Sequence, residues 1–196
     1  MGKTVFDFSN QVAVITGAAL GIGKRSAERF AESGAKVFLV DIDKKGGAAA
    51  AQEIQGRGGD ATFVECDVTD AASVKRAFET VMSKAGRIDI LVNSAGGFHL
   101  QLAIIDTPEE EWDAVIDRNL KSVFLTAKAV IPVFQKQSEF LPEIENGNNL
   151  PAKIDHTLYI IGCIWDFCDL SDPVDLLNIQ DINRVLLLVK RKCHQL

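Results

Sequence analysis

Three glycines and one carboxylate are the residues whose spacing most suggests chemistry. Val12 to Gly23 reads VAVITGAALGIG: an apolar β-type run ends in Thr16-Gly17, crosses Ala18-Ala19-Leu20 and delivers Gly21-Ile22-Gly23 into a helical pattern beginning around Lys24. Such a turn suits phosphate. Gly17 lets the chain leave the strand tightly, Gly21 leaves backbone open to a pyrophosphate, and Gly23 allows the new helix to pack close to the sheet. The first N–H groups and the positive dipole end of that helix then face the ligand. Glycines alone also serve plain strand-to-helix turns. The second landmark is Asp41, which closes a buried strand over Lys36 to Val40 (KVFLV) and lies eighteen residues after Gly23. That is about where a dinucleotide fold holds the carboxylate accepting from a ribose 2′-OH and 3′-OH. A carboxylate there repels a 2′-phosphate, so the pattern predicts NAD in preference to NADP.

Alternating strands and helices must hold these residues. Residues 11–16 read as the first strand and residues 21–33 as a helix with Ala27, Phe30 and Ala31 at helical spacing, stopped by Gly34. Asp43 suits the cap of a helix over 44–55, ended by Gly56-Arg57-Gly58-Gly59. Residues 61–65 (ATFVE) form a third strand, and Thr69-Asp70 caps a helix over 71–84. Asp67 suits a capping role, but a residue just beyond the carboxyl end of the third strand borders an adenine site, and that is the role assigned here. A fourth strand over 88–92 breaks into Asn93-Ser94-Ala95-Gly96-Gly97, a small-residue turn that lets backbone sit against a ribose or nicotinamide. Thr107 is the expected cap, and Pro108 the first position, of a long helix over Glu109 to Gln135. Trp112, Val115, Ile116, Leu120, Val123, Phe124 and Ala127 keep helical spacing along it. The fold class predicted is α/β, a parallel sheet with helices on both faces and strand order 3-2-1-4. Ligands bind such a sheet at the carboxyl ends of strands one and four, where the order reverses.

Over residues 11–137 these motifs resemble the short-chain dehydrogenase/reductase family. Its cofactor turn T-G-x-x-x-G-I-G stands as Thr16-Gly17-Ala18-Ala19-Leu20-Gly21-Ile22-Gly23, which adds Leu20 and Ile22 to the cofactor-binding set. Its acidic selector matches Asp41, its D-V pair near adenine matches Asp67-Val68, and its N-N-A-G turn appears as Asn93-Ser94-Ala95-Gly96, with Ser in place of the second Asn. The family's helix asparagine, a catalytic position, matches Asn119 in Arg118-Asn119-Leu120-Lys121. Asparagine is otherwise a poor helix former.

The resemblance implies a Rossmann-like fold and hydride transfer between NAD(P) and an alcohol or ketone. In the family a Tyr exchanges the substrate proton, a Lys four residues later lowers the Tyr pKa, and a Ser polarises the carbonyl. Here the only Tyr is Tyr159, followed four residues on by Cys163, and no G-x-I-V-N-x-S-S pattern follows the long helix. The expectation is an NAD-binding protein with weak or absent catalysis, Rossmann-like but truncated after the fifth helix. An alternative is a spliced or truncated member acting through association. The family's corresponding helix forms subunit interfaces, so 109–135 is expected to pair with a second copy or a full-length relative.

Composition divides the chain at the same place. Twenty of the twenty-one alanines and thirteen of the fifteen glycines precede Ser138, whereas three of the four cysteines follow it. Residues 1–137 therefore read as an NAD-binding domain and 138–196 as a divergent tail with a loop over 138–153 and candidate strands over 157–165 and 185–189. An exon or reading-frame junction near residue 137 would account for the change. A net charge of -6, with one short basic run at Lys190-Arg191-Lys192, argues against nucleic acid. The longest strongly apolar run, Leu158 to Trp165, is too short for the roughly 20 residues of a membrane span. The amino-terminal stretch carries no signal-peptide pattern, and Phe6 breaks a myristoylation motif. The four cysteines lack the paired spacing of a disulfide framework. Together these features read as cytoplasmic. Cys163, Cys168, Cys193 and His194 lack paired metal-ligand spacing and are taken as ordinary thiols and imidazole.

Overall fold

A computed structural model describes residues 7–97, 103–138 and 158–159. The strands are β1 (Val12–Thr16), β2 (Lys36–Asp41), β3 (Asp60–Glu65), β4 (Ile90–Asn93) and β5 (Leu158–Tyr159). The helices are α1 (Gly21–Glu32), α2 (Lys44–Gly56), α3 (Ala71–Ala85), α4 (Glu109–Ile116) and α5 (Ser122–Ser138), with a π-helical segment (Asp117–Lys121) joining the last two and a 3-10 turn at Ile104–Asp106. The sheet order is β3-β2-β1-β4-β5 and every pairing is parallel. Thr16 lies opposite Val40 on one side and Asn93 on the other, so the carboxyl ends of β1, β2 and β4 finish level.

Strands β1 and β2 are apolar almost throughout because both faces of the sheet are covered. Alternation sorts their side chains. Ala13, Ile15, Val37 and Leu39 pack with Ala27 and Ala31 of α1 and with Ala50, Ala51 and Ile54 of α2. Val12, Val14, Phe38 and Val40 pack instead with Val74, Phe78 and Val81 of α3 and with Val130 and Phe134 of α5. Each fully buried large side chain contributes on the order of 1.5–3 kcal/mol. Helix starts follow local chemistry: Asp43 accepts from Gly46 N–H at 3.0 Å, and Asp70 accepts from Ala72 and Ser73 N–H at 3.0 and 3.1 Å.

Several expectations change. Thr107 does not cap α4, because its hydroxyl donates back to Ala103 O at 3.0 Å; Pro108, extended at ψ 150°, takes the cap position without a side-chain bond. Asn93 belongs to β4 rather than to the turn after it. The long helix is interrupted by the π-helical segment, and its inward residues are Ser122, Thr126, Val130 and Phe134. Trp112, Leu120 and Phe124 are instead 56%, 64% and 59% exposed. The strand expected within 157–165 is described at Leu158 and Tyr159, which pair with Leu91 and Val92 of β4. The remaining expectations on the tail, including Cys163, Cys168, Cys193 and His194, lie outside the described residues.

Candidate functional site

The carboxyl edge of the sheet gathers the turn after β1, the end of β2 and the turn after β4. Gly17 sits at φ +65°, and a Cβ on it would lie 2.7 Å from both Cα and N of Ala95. Its lack of a side chain is therefore what lets the turns after β1 and β4 touch. A Cβ on Gly23 would collide with Gly17 O, so this glycine packs α1 onto the turn itself rather than onto the sheet. Gly21 differs: the space where its Cβ would stand is open to 4 Å. Leu20 and Ile22 flank that opening and are exposed.

Helix α1 starts at Leu20 with no side-chain cap, unlike α2 and α3. Its first N–H groups, with the positive end of the helix dipole, are left to an anion. Beside them, Asp41 Oδ2 accepts from Ala19 N–H and Asp41 Oδ1 accepts from Asp43 N–H, each at 2.9 Å. A carboxylate offers about four acceptor sites, so the two N–H groups fix its orientation and leave others for ribose hydroxyls. An open glycine cradle, uncapped helix amides and an oriented carboxylate in one row fit a dinucleotide.

The third-strand residues divide. Asp67 Oδ1 accepts from Thr69 N–H at 2.9 Å and from Thr69 Oγ1 at 2.7 Å, so the side chain does serve its own turn. Val68 is buried in the core against the α3 side of the sheet, which leaves only its backbone available to a ligand. Burial pushes the adjacent Cys66 thiol up, against the opposing hydrogen bond with Ser73.

On the β4 side, Thr16 Oγ1 accepts from both Ser94 and Ala95 N–H at 3.1 Å, linking the two turns. Asn93 is 2% exposed, and its Oδ1 lies 2.8 Å from Thr126 Oγ1. Its Nδ2 is buried without a hydrogen-bond partner among the described residues. Gly96 stands between Ala95 and Gly97, the last described residue of this turn. Asn119, in the π-helical segment, accepts from Gly97 N–H at 3.0 Å and donates to Gly97 O at 3.1 Å. Sequence reasoning missed Thr126 and Arg118 as partners of this turn, because a polar residue on a long helix carries no signal of what it will face. The part of Thr16, whose hydroxyl ties the two turns, likewise has no sign in the motif around it.

A family model described as short chain dehydrogenase matches residues 11–139. The chain belongs to the short-chain dehydrogenase family. It is 42% identical over 127 residues to the D-threitol dehydrogenase of Mycolicibacterium smegmatis, covering 64% of this chain and 48% of that one. It is 38% identical over 128 residues to the cyclopentanol dehydrogenase of Comamonas testosteroni, covering 65% and 51%. Among solved structures, a short-chain type dehydrogenase/reductase from Mycobacterium marinum matches with TM-score 0.65 and 39% identity over 68% of this chain and 54% of that one. A putative short-chain dehydrogenase/reductase from Burkholderia xenovorans matches with TM-score 0.64 and 37% identity, covering 67% and 52%. The chain thus spans about half the length of the curated relatives it matches. Family members bind NAD(P). No helix among the described residues is long and apolar enough to cross a membrane, and no group of metal-ligating side chains occurs among them.

Proposed function

We propose that residues 1–137 form an NAD-binding domain, selective against NADP, whose own residues supply cofactor binding but little hydride transfer. The observation that carries this reading is the Asp41 carboxylate, oriented by Ala19 and Asp43 N–H beside the uncapped start of α1. In it Gly17, Leu20, Gly21, Ile22 and Gly23 cradle the pyrophosphate, and Asp41 accepts from the adenosine ribose. Asp67 and Val68 border the adenine, and Asn93, Ala95 and Gly96 line the nicotinamide side, with Asn119 holding that turn. The bound dinucleotide would supply hydride acceptance from an alcohol or donation to a ketone. The chain would have to move the accompanying proton, and Tyr159 followed by Cys163 does not offer the Tyr–Lys pairing that brings a phenol pKa, ordinarily near 10, toward neutral pH. The stretch over 138–196 is then divergent in sequence, with Leu158 and Tyr159 adding a short strand beside β4.

Titration with NAD and NADP, followed through the fluorescence of Trp112 and Trp165, tests the reading. Saturable binding with NAD preferred is expected, together with no NAD reduction across a broad alcohol panel. Tighter binding of NADP would overturn the selectivity, and brisk turnover would overturn the catalytic part.

A second reading is favoured by the exposed apolar line Trp112, Leu120, Phe124 and Ile131 along the helical run. Single apolar residues on a surface are ordinary, whereas a contiguous apolar patch marks an association surface, and the reading takes these four to form one. Pairing through this helix with a second copy or a full-length relative is the expected outcome of size-exclusion and co-purification measurements. A strictly monomeric, partnerless chain would contradict it.

A further inference from the structure

The side chains left over by the cofactor reading gather where the helix widens. Within Asp117–Lys121 the Ser122 N–H donates five residues back, to Asp117 O. The Arg118 carbonyl, which that N–H would serve in an α-helix, accepts from Ser122 Oγ instead, at 2.6 Å. Asn119 Nδ2 likewise reaches Val115 O, four residues back, at 2.9 Å. Single π-helical turns inside α-helices are rare and concentrate at functional sites.

Here the widened turn brings two consecutive side chains onto the backbone of one residue, Gly97. Asn119 satisfies both the N–H and the C=O of Gly97. Arg118 Nη1 then donates to the same Gly97 oxygen at 3.1 Å, filling its second lone pair. Asn119 already meets the needs of the backbone, so the guanidinium is superfluous to hydrogen-bond satisfaction. Gly97 sits at φ +135°, a conformation closed to other residues, so its placement depends on what grips it. A charged donor grips about twice as hard as a neutral one.

We infer that Arg118 is a positioning residue for the nicotinamide half of the site, acting through the Gly97 carbonyl. The inference rests on the dinucleotide reading above. With Asp41 on the β2 side of the phosphate turn, the adenosine half lies toward β2 and the nicotinamide half must run toward β4. Gly97 is the last described residue of the turn after β4, whose Ser94 and Ala95 amides are tied to Thr16. Releasing Gly97 loosens the nicotinamide wall. Asp41 keeps its own donors, Ala19 and Asp43, and is untouched.

The test is calorimetric titration of the full chain, of Arg118→Ala and of Arg118→Lys with NAD and, separately, with ADP, which lacks the nicotinamide half. Arg118→Ala is expected to weaken NAD about tenfold while changing ADP by less than about twofold. Arg118→Lys, which retains a cationic donor, recovers part of the NAD loss. A general structural role would move both ligands together, and equal losses therefore overturn the inference, as does unchanged NAD affinity. If Arg118→Ala does not fold, the same NAD-to-ADP comparison on Arg118→Gln decides the matter. A wild-type chain that binds neither ligand removes the dinucleotide reading and this inference with it. Wild-type binding of both ligands with no effect in any variant removes only the role of Arg118.

Discussion

On the β2 side of the phosphate turn the site is held within one βαβ unit: backbone N–H groups of Ala19 and Asp43 orient Asp41, and Asp43 in turn caps α2. On the β4 side it is held by side chains from a helical run far along the chain. Asn119 and Arg118 grip Gly97, and Thr126 meets Asn93. In the proposed reading, Asp41 is oriented by contacts close along the chain, whereas the turn after β4 also requires the helical run to dock. Substitutions on the two sides should therefore separate.

The largest effect is expected at the glycine where the two sides meet. Gly17→Ala drives a Cβ into Ala95 backbone and keeps an unfavourable positive φ, a cost of about 3 kcal/mol or more in denaturant unfolding. Gly21→Ala shares the positive φ but meets open space, so about 1 kcal/mol is expected, with dinucleotide binding lost. Equal destabilisation at the two glycines would break the picture of touching turns.

Next comes Thr126→Val, which keeps the shape but leaves the buried Asn93 amide without its hydroxyl partner. About 1–2 kcal/mol of stability should go, and NAD should weaken more than ADP. On the other side, Asp43→Ala removes a cap worth about 1 kcal/mol. Because Asp41 is held by the Asp43 backbone rather than its side chain, the preference for NAD over NADP should survive. A shift in that preference would show that the α2 cap and the selector are one device.

The same asymmetry explains what could be read in advance. The phosphate turn, the strand ending on Asp41 and the Asp43 and Asp70 caps are local patterns, in which residue type and spacing carry the whole physical reason. The run after Pro108 is different. Its apolar residues keep helical spacing without showing which face is covered, and the covered face turned out to include Ser122 and Thr126 while Trp112, Leu120 and Phe124 point outward. The widened turn leaves no gap in that spacing; its signs are Ser122, whose hydroxyl serves the Arg118 carbonyl that its own N–H leaves, and Asn119, whose side-chain amide reaches Val115 O. Thr107 has the composition of a cap but spends its hydroxyl on the preceding turn. Val68 follows the expected order yet turns into the core, packing with the cluster on the α3 side of the sheet.

The most direct test of the central claim is the ratio of NADP to NAD dissociation constants, measured on the wild-type chain and on Asp41→Asn, which keeps the shape of the selector and removes its charge. NAD is expected to be preferred by the wild-type chain, and that preference to fall about tenfold in the variant. A wild-type preference for NADP, or a ratio indifferent to the loss of the Asp41 charge, would contradict it.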